Sequence, residues 1–254
     1  MIETAKDGAI AEIALRNGPL NLVTRDALRA LNAAIDALAK DRDVRCVVLH
    51  GGDARAFCAG SDIKEFAHLR GNASEDKILF EDMVLRNLAR LPMPTIAAID
   101  GPALGGGLEL ALACDLRVAA AGVALGLTES RLGGLAANGA VRAARLVGPA
   151  RAKRLLFMGE TIDARIALEW GLVDRVTADA TALDAARDWA KVIAARGPIS
   201  NRLGKMLIEK SLDEALDAAL GASTVAQQAI FDSDDLQEGM RAFFAKRSPV
   251  FRGS

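Results

Sequence analysis

From about residue 181 onward every apolar pattern in this chain is helical, whereas the preceding residues alternate between strand-like and helix-like segments. That division constrains the fold more than any other feature. Alternating elements build an α/β core, and a run of helices without strands must pack beside it. Residues 9–15 alternate apolar and polar positions, as a half-exposed strand does. Residues 44–50 and 95–100 are short apolar runs of the kind buried on both faces. Thr24 can cap a helix to residue 40 with Leu28, Leu31, Ile35 and Leu38 on one face. A helix is expected over residues 74–91, ended by Pro92 and Pro94, and another over 106–113. Short strands follow at 116–119, 123–127 and 172–176, with helices at 139–147, 150–158 and 164–170. The tail reads as helices over 182–195, 199–210, 212–230 and 236–245. Its apolar faces are numerous for so short a segment, which points to packing against another subunit.

Composition excludes several function classes. A length of 254 residues suits one large domain or one domain plus a small appendage, and 51% hydrophobic with 26% charged residues is ordinary for a globular protein. A net charge of −1 offers nucleic acid or an anionic membrane no general attraction. The first residues lack a secretory pattern, and no apolar run reaches the length of a membrane span. Three cysteines, Cys46, Cys58 and Cys114, without metal-type spacing suit reduced thiols in a cytoplasm. With only His50 and His68, a histidine metal site or a Ser/His triad is not expected, and the absence of tyrosine excludes a Tyr-Lys dyad. His50 reads as a strand-end residue and His68 as a loop or surface one.

Two glycine-containing turns carry the chemistry. Phe57-Cys58-Ala59-Gly60-Ser61-Asp62 and Gly101-Pro102-Ala103-Leu104-Gly105-Gly106-Gly107-Leu108-Glu109 each follow a strand and open a helix. Taken alone, a triple glycine is equally well a tight turn with no ligand. It fits neither the dinucleotide fingerprint nor a phosphate loop. Placed together, the two turns can present bare backbone amides to one developing oxygen anion. Glu109 lies in the first turn of its helix, where the dipole stabilises a carboxylate without any function. Its neighbours are all apolar, however, and a buried carboxylate is costly without a partner or a task. Glu129 has a similar setting, with Arg131 as the alternative, a surface ion pair. Two carboxylates at one carbonyl can hold a water and exchange protons with it.

These segments resemble the enoyl-CoA hydratase/isomerase (crotonase) superfamily. The resemblance rests on Phe57-Cys58-Ala59-Gly60-Ser61-Asp62-Ile63-Lys64-Glu65 and on Ile96 through Ala111, and continues through the Glu129 segment, Arg145-Leu146-Val147-Gly148, Ala167 through Val173 and Ser233 through Phe243. It implies an α/β fold with a spiral core of repeated ββα units over residues 1–195 holding a CoA thioester site. Residues 196–254 would form a helical oligomerisation region building trimers or dimers of trimers. It further implies an acyl-CoA substrate and no separate cofactor or metal. The oxyanion amides would be those of Ser61 and Gly106, and the catalytic pair Glu109 and Glu129. Arg55, Ala59, Ser61, Asp62, Ile63, Lys64 and, from a neighbouring subunit, Lys246 would contact CoA.

Both glutamates are retained, so hydration of a 2-enoyl-CoA is the expected reaction, as in fatty acid metabolism. An isomerase using Glu129 alone is the same-class alternative. An oligomeric scaffold or RNA-associated protein without catalysis is the alternative from another class. Cys58 reads as packing, not as a nucleophile. Residues 133–143 depart from the family's usual loop where it borders the acyl pocket, which puts a short straight-chain substrate in doubt.

Overall fold

The computed structural model describes residues 1–254 except Ala67, His68, Arg70 and Asp179, together with the side chain of Asp76. The expectation for His68 therefore lies outside the described residues. Nine strands form two sheets among the described residues. In the larger sheet, β1 (Ile2–Asp7) pairs antiparallel with β2 (Ile10–Leu15). Parallel strands β3 (Cys46–His50), β4 (Thr95–Ile99), β6 (Leu116–Ala120) and β9 (Arg175–Thr177) then follow. The central strands β3 and β4 are buried along their whole length, as their unbroken apolar character predicts. The smaller sheet joins β5 (Ala103–Leu104), β7 (Ala124–Gly126) and β8 (Thr161–Asp163).

From β4 to β7 the two sheets are visited alternately, which gives this part of the chain a spiral course. From β4 it crosses to β5 and enters α4 (Gly106–Leu112); from β6 it crosses to β7 and enters α5 (Ala137–Met158). Each is a ββα turn. The earlier helices are α1 (Arg25–Lys40), α2 (Ile63–Phe66) and α3 (Leu79–Ala89), the last preceded by a π-helical turn at Ser74–Ile78. Thr24 caps α1 by accepting from the Ala27 amide at 3.2 Å, and Leu28, Leu31, Ile35 and Leu38 form its buried face.

Helices α6 (Ala164–Trp170) and α7 (Ala182–Ala194) complete the core, α7 lying across β3, β4 and β6. Beyond it, α8 (Pro198–Asp213), α9 (Leu216–Phe231) and α10 (Asp234–Phe244) contain no strand, as expected. They are tied back to the core at defined points. Lys205 of α8 donates to Asp115 Oδ2 at 2.8 Å, and Asp115 also accepts from the Thr95 amide at 2.8 Å. Arg45 donates to the carbonyls of Phe251 at 2.6 Å and Ala194 at 3.3 Å.

Several boundaries differ from the sequence reading. The strand expected at 172–176 is β9, at Arg175–Thr177, because Gly171 in the left-handed region caps α6 and Leu172 and Val173 pack in the turn after it. The helices expected at 139–147 and 150–158 run end to end as α5, interrupted by Gly148 with φ 79° just before Pro149. β2 is more buried than alternation predicts because α7 packs against it, Arg187 gripping Glu12 on the face expected to meet solvent.

His50 ends β3 and is 8% exposed. Its Nδ1 accepts from the Gly52 amide at 3.2 Å, and Nε2 lies 3.5 Å from Glu12, which Arg187 grips at 2.7 and 2.9 Å. Burial holds the imidazole pKa below its ordinary value; the attraction of Glu12 opposes this, as does that of Asp100, while Arg187 and Arg16 reinforce it. The group is therefore stable in its neutral form, and that stability is lost as pH falls below the ordinary value of 6.5. His50→Gln is expected to narrow its stability gap to the wild type as pH is lowered from neutrality, measured by chemical unfolding at a series of pH values. A gap independent of pH would refute the assignment.

Candidate active site

The two glycine turns lie on adjacent rungs of the spiral. Cys58 bridges Ala103 in parallel, its amide donating to the Pro102 carbonyl at 3.2 Å and its carbonyl accepting from Leu104 at 3.0 Å. Ser61 lies three residues beyond Cys58, and Gly106 three beyond Ala103, so both occupy equivalent places on neighbouring rungs. A Cβ at Gly106 would stand 3.1 Å from Ser61 Oγ and 3.7 Å from the Ser61 amide nitrogen. Neither the Ser61 nor the Gly106 amide donates to any group among the described residues, Gly106 being the first residue of α4. Two N–H groups without a protein acceptor among the described residues thus lie close together.

Glycine is required here for two separate reasons. Gly105, at φ 53°, turns the chain into α4 in a conformation L side chains rarely adopt. Gly107 meets the other rung: a Cβ there would lie 2.0 Å from the Cys58 carbonyl oxygen. Cys58 itself is wholly buried and its thiol is pushed up to about 12 by that burial, which leaves it as packing.

Glu109 projects from the first turn of α4 and is 7% exposed. Its Oε1 accepts from the Gly139 amide in the first turn of α5 at 2.7 Å. Burial is the main force on the carboxyl, raising its pKa to about 7; the Gly139 bond opposes the rise, and the charges of Glu129 and Glu81 add to it. Glu129 begins a 3-10 turn, Glu129–Leu132, and a Cβ at Gly105 would stand 2.8 Å from its Oε1. Its pKa is also raised, first by burial and then by Glu81, and its buried Oε2 has no hydrogen-bond partner among the described residues. The surface ion pair with Arg131 does not form. Two carboxyls that titrate above the ordinary range thus border the amide pair, as proton transfer near neutrality requires.

A third carboxylate went unread in the sequence. Glu81 of α3 would stand 3.7 Å from a Cβ at Gly106, and it is paired with the buried Lys77 one helical turn earlier at 3.1 Å. An i,i+4 Lys–Glu pair is ordinary on any helix surface, so the spacing alone carries no signal. The Gly139 amide was also missed, although a glycine in a helix's first turn offers an unfilled donor.

Among the expected CoA contacts, Arg55, Ile63 and Lys64 are exposed on the segments flanking the Ser61 turn. Asp62 caps α2 by accepting from the Lys64 amide at 2.9 Å, and the Ala59 amide is spent on the Leu20 carbonyl at 2.9 Å. The side chains of Arg55 and Lys64 form no ion pair among the described residues, so both charges are available to an anion. Lys246 follows α10 with φ 53°, exposed and likewise unpaired. Among the described residues no hydrogen bond or ion pair joins it to either turn.

The sequence model of the enoyl-CoA hydratase/isomerase family matches residues 5–254. The chain belongs to that family. It is 36% identical over 238 residues to the mitochondrial methylglutaconyl-CoA hydratase of Rattus norvegicus, covering 92% of this chain and 76% of that one. It is 33% identical over 244 residues to the short-chain-enoyl-CoA hydratase of Clostridium acetobutylicum, covering 95% and 94%. The crystal structure of an enoyl-CoA hydratase from Bacillus anthracis superposes with a TM-score of 0.95 at 35% identity, over 100% of this chain and 99% of the other. The enoyl-CoA hydratase/isomerase family acts on acyl-CoA thioesters, and its crotonase fold is the α/β spiral described above.

Proposed function

We propose that the protein hydrates a 2-enoyl-CoA, with the thioester carbonyl accepting from the amides of Ser61 and Gly106. Water adds to the β-carbon and charge moves onto the thioester oxygen, where the amide pair stabilises the enolate. Glu109 takes the proton from the attacking water, and Glu129 delivers one to the α-carbon, so water is added across the double bond with no net change in the enzyme's protons after exchange. Arg55, Lys64 and, from a neighbouring subunit, Lys246 bind the CoA phosphates. No separate cofactor enters this scheme.

One observation carries the reading: two raised carboxyls, Glu109 and Glu129, stand beside two unengaged amides. The isomerase alternative draws on the unpartnered Oε2 of Glu129, which can shuttle a proton alone. Incubation with crotonyl-CoA and with a 3-enoyl-CoA separates the two. We expect loss of the enoyl thioester from crotonyl-CoA with formation of the 3-hydroxyacyl product. Its kcat/KM should rise with pH as Glu109 ionises near 7. Double-bond migration without hydration would sink the hydratase reading.

Assembly into trimers belongs to the same proposal. Leu216, Val225, Phe231, Phe243 and Phe244 of the C-terminal helices are exposed large apolar side chains, which a neighbouring copy would cover. The three buried, free thiols support a reducing compartment such as the cytoplasm.

A further inference from the structure

Lys77 is the unusual group near the site. It is 7% exposed, and Nζ has no hydrogen-bond partner among the described residues. Glu81 Oε2 lies 3.1 Å away as an ion pair without a hydrogen bond, and Nζ stands over the Phe66 ring, 4.9 Å from its centroid. An ammonium carries three donors and no acceptor. Here its charge is partly balanced and its donors are unfilled, a costly state for a buried ion. The other oxygen of Glu81 faces the Gly106 turn, so Nζ is one carboxylate removed from the place where the thioester carbonyl sits.

An acyl chain leaving that carbonyl passes Glu109 and Glu129 and then needs a terminus. A plain alkyl end would leave Nζ as unsatisfied as it is in the free protein. A carboxylate at the fifth carbon, about 5 Å beyond the carbonyl carbon from ordinary bond lengths, would supply the missing acceptors. We propose that Lys77, held by Glu81, is the specificity residue of the acyl pocket and selects enoyl-CoA substrates whose acyl chain bears a distal carboxylate. Glu81 offsets much of the Lys77 charge, so the attraction rests on the unfilled donors of Nζ and not on net charge. Glu109 and Glu129 hold their protons more tightly than ordinary carboxyls, which reduces their repulsion of a second carboxylate.

This inference rests on the reading of the site as one for acyl-CoA hydration, and saturated thioesters test it without turnover. Calorimetry on the full chain would compare glutaryl-CoA, with a distal carboxylate, against butyryl-CoA. The wild type is expected to bind glutaryl-CoA about ten- to a hundredfold more tightly. K77M should erase that preference, as should K77M combined with E81Q, which removes the pair together; K77R should retain it. Equal or tighter binding of butyryl-CoA by the wild type overturns the proposal, and this comparison needs no variant to fold. Persistence of the preference in K77M overturns it too. If the preference holds but neither crotonyl-CoA nor glutaconyl-CoA is hydrated, the hydratase reading falls and the subsite stands. Failure of both thioesters to bind would remove both.

Discussion

Glu109→Gln is expected to lower the hydration rate by roughly a hundred- to ten-thousandfold while making the protein more stable above neutral pH. The loss follows from removing the base that takes the water proton. The gain follows from linkage. The folded carboxyl has a pKa of about 7 against an ordinary 4.5, so the folded state binds this proton more tightly than the unfolded one. The sign is therefore a penalty that is absent below 4.5, grows as pH rises and is complete above 7. Its size is about 3 kcal/mol at most. Glutamine carries no charge to desolvate and keeps an oxygen for the Gly139 amide. Unfolding midpoints at pH 8 and at pH 5 would check this, the variant leading by several degrees at the higher pH and losing its lead at the lower. Equal midpoints at both values would contradict the buried, charged carboxylate; unchanged turnover would contradict its role.

Gly107→Ala is expected to cost about 4 kcal/mol or more, or to prevent folding. The added Cβ would fall 2.0 Å from the Cys58 carbonyl oxygen, 2.7 Å from its carbon and 2.8 Å from the Cys58 Cβ. Two of those atoms are backbone on a hydrogen-bonded rung and cannot swing aside. Any relaxation moves the Ser61 turn away from Gly106, so a folded fraction should also lose at least about a hundredfold in rate. Gly204→Ala in α8, where nothing lies within 4 Å of the new Cβ, is the control and should be neutral or mildly stabilising. Thermal unfolding of the two variants side by side decides the matter; similar midpoints would show that the rungs are not in close contact.

What could be read in advance follows a physical division. The amide pair and its two glutamates are encoded in short contiguous turns, where glycine spacing and a lone acidic residue in an apolar helix leave a local trace. The helices were legible for the same reason, since a Thr24 cap or a Leu28–Leu31–Ile35–Leu38 face repeats within a few residues. β5 and β8 have two or three residues each, too few for any periodicity to register, whereas the equally short β7 lies inside the apolar run expected as a strand at 123–127. β9 was placed early because Leu172 and Val173 are buried by the turn after α6, and burial alone does not distinguish a turn from a strand. Lys77 and Glu81 were invisible for a different reason. Their spacing is that of a solvated helix face, and only the spiral turns that face inward against the Gly106 turn.

The equivalent placement of Ser61 and Gly106 on neighbouring rungs has a genetic consequence. Both donors are main-chain atoms, so no codon change at either position can delete an N–H short of proline; a substitution can only displace it. Glu109, Glu129 and Lys77 are each one base change from another side chain. In the proposed mechanism the half of the site that grips the thioester is thus buffered against mutation, and the half that meets the rest of the acyl group is open to it. Diversification of substrate within such a scaffold should run through the carboxylates and their cationic neighbour, with the carbonyl grip inherited unchanged.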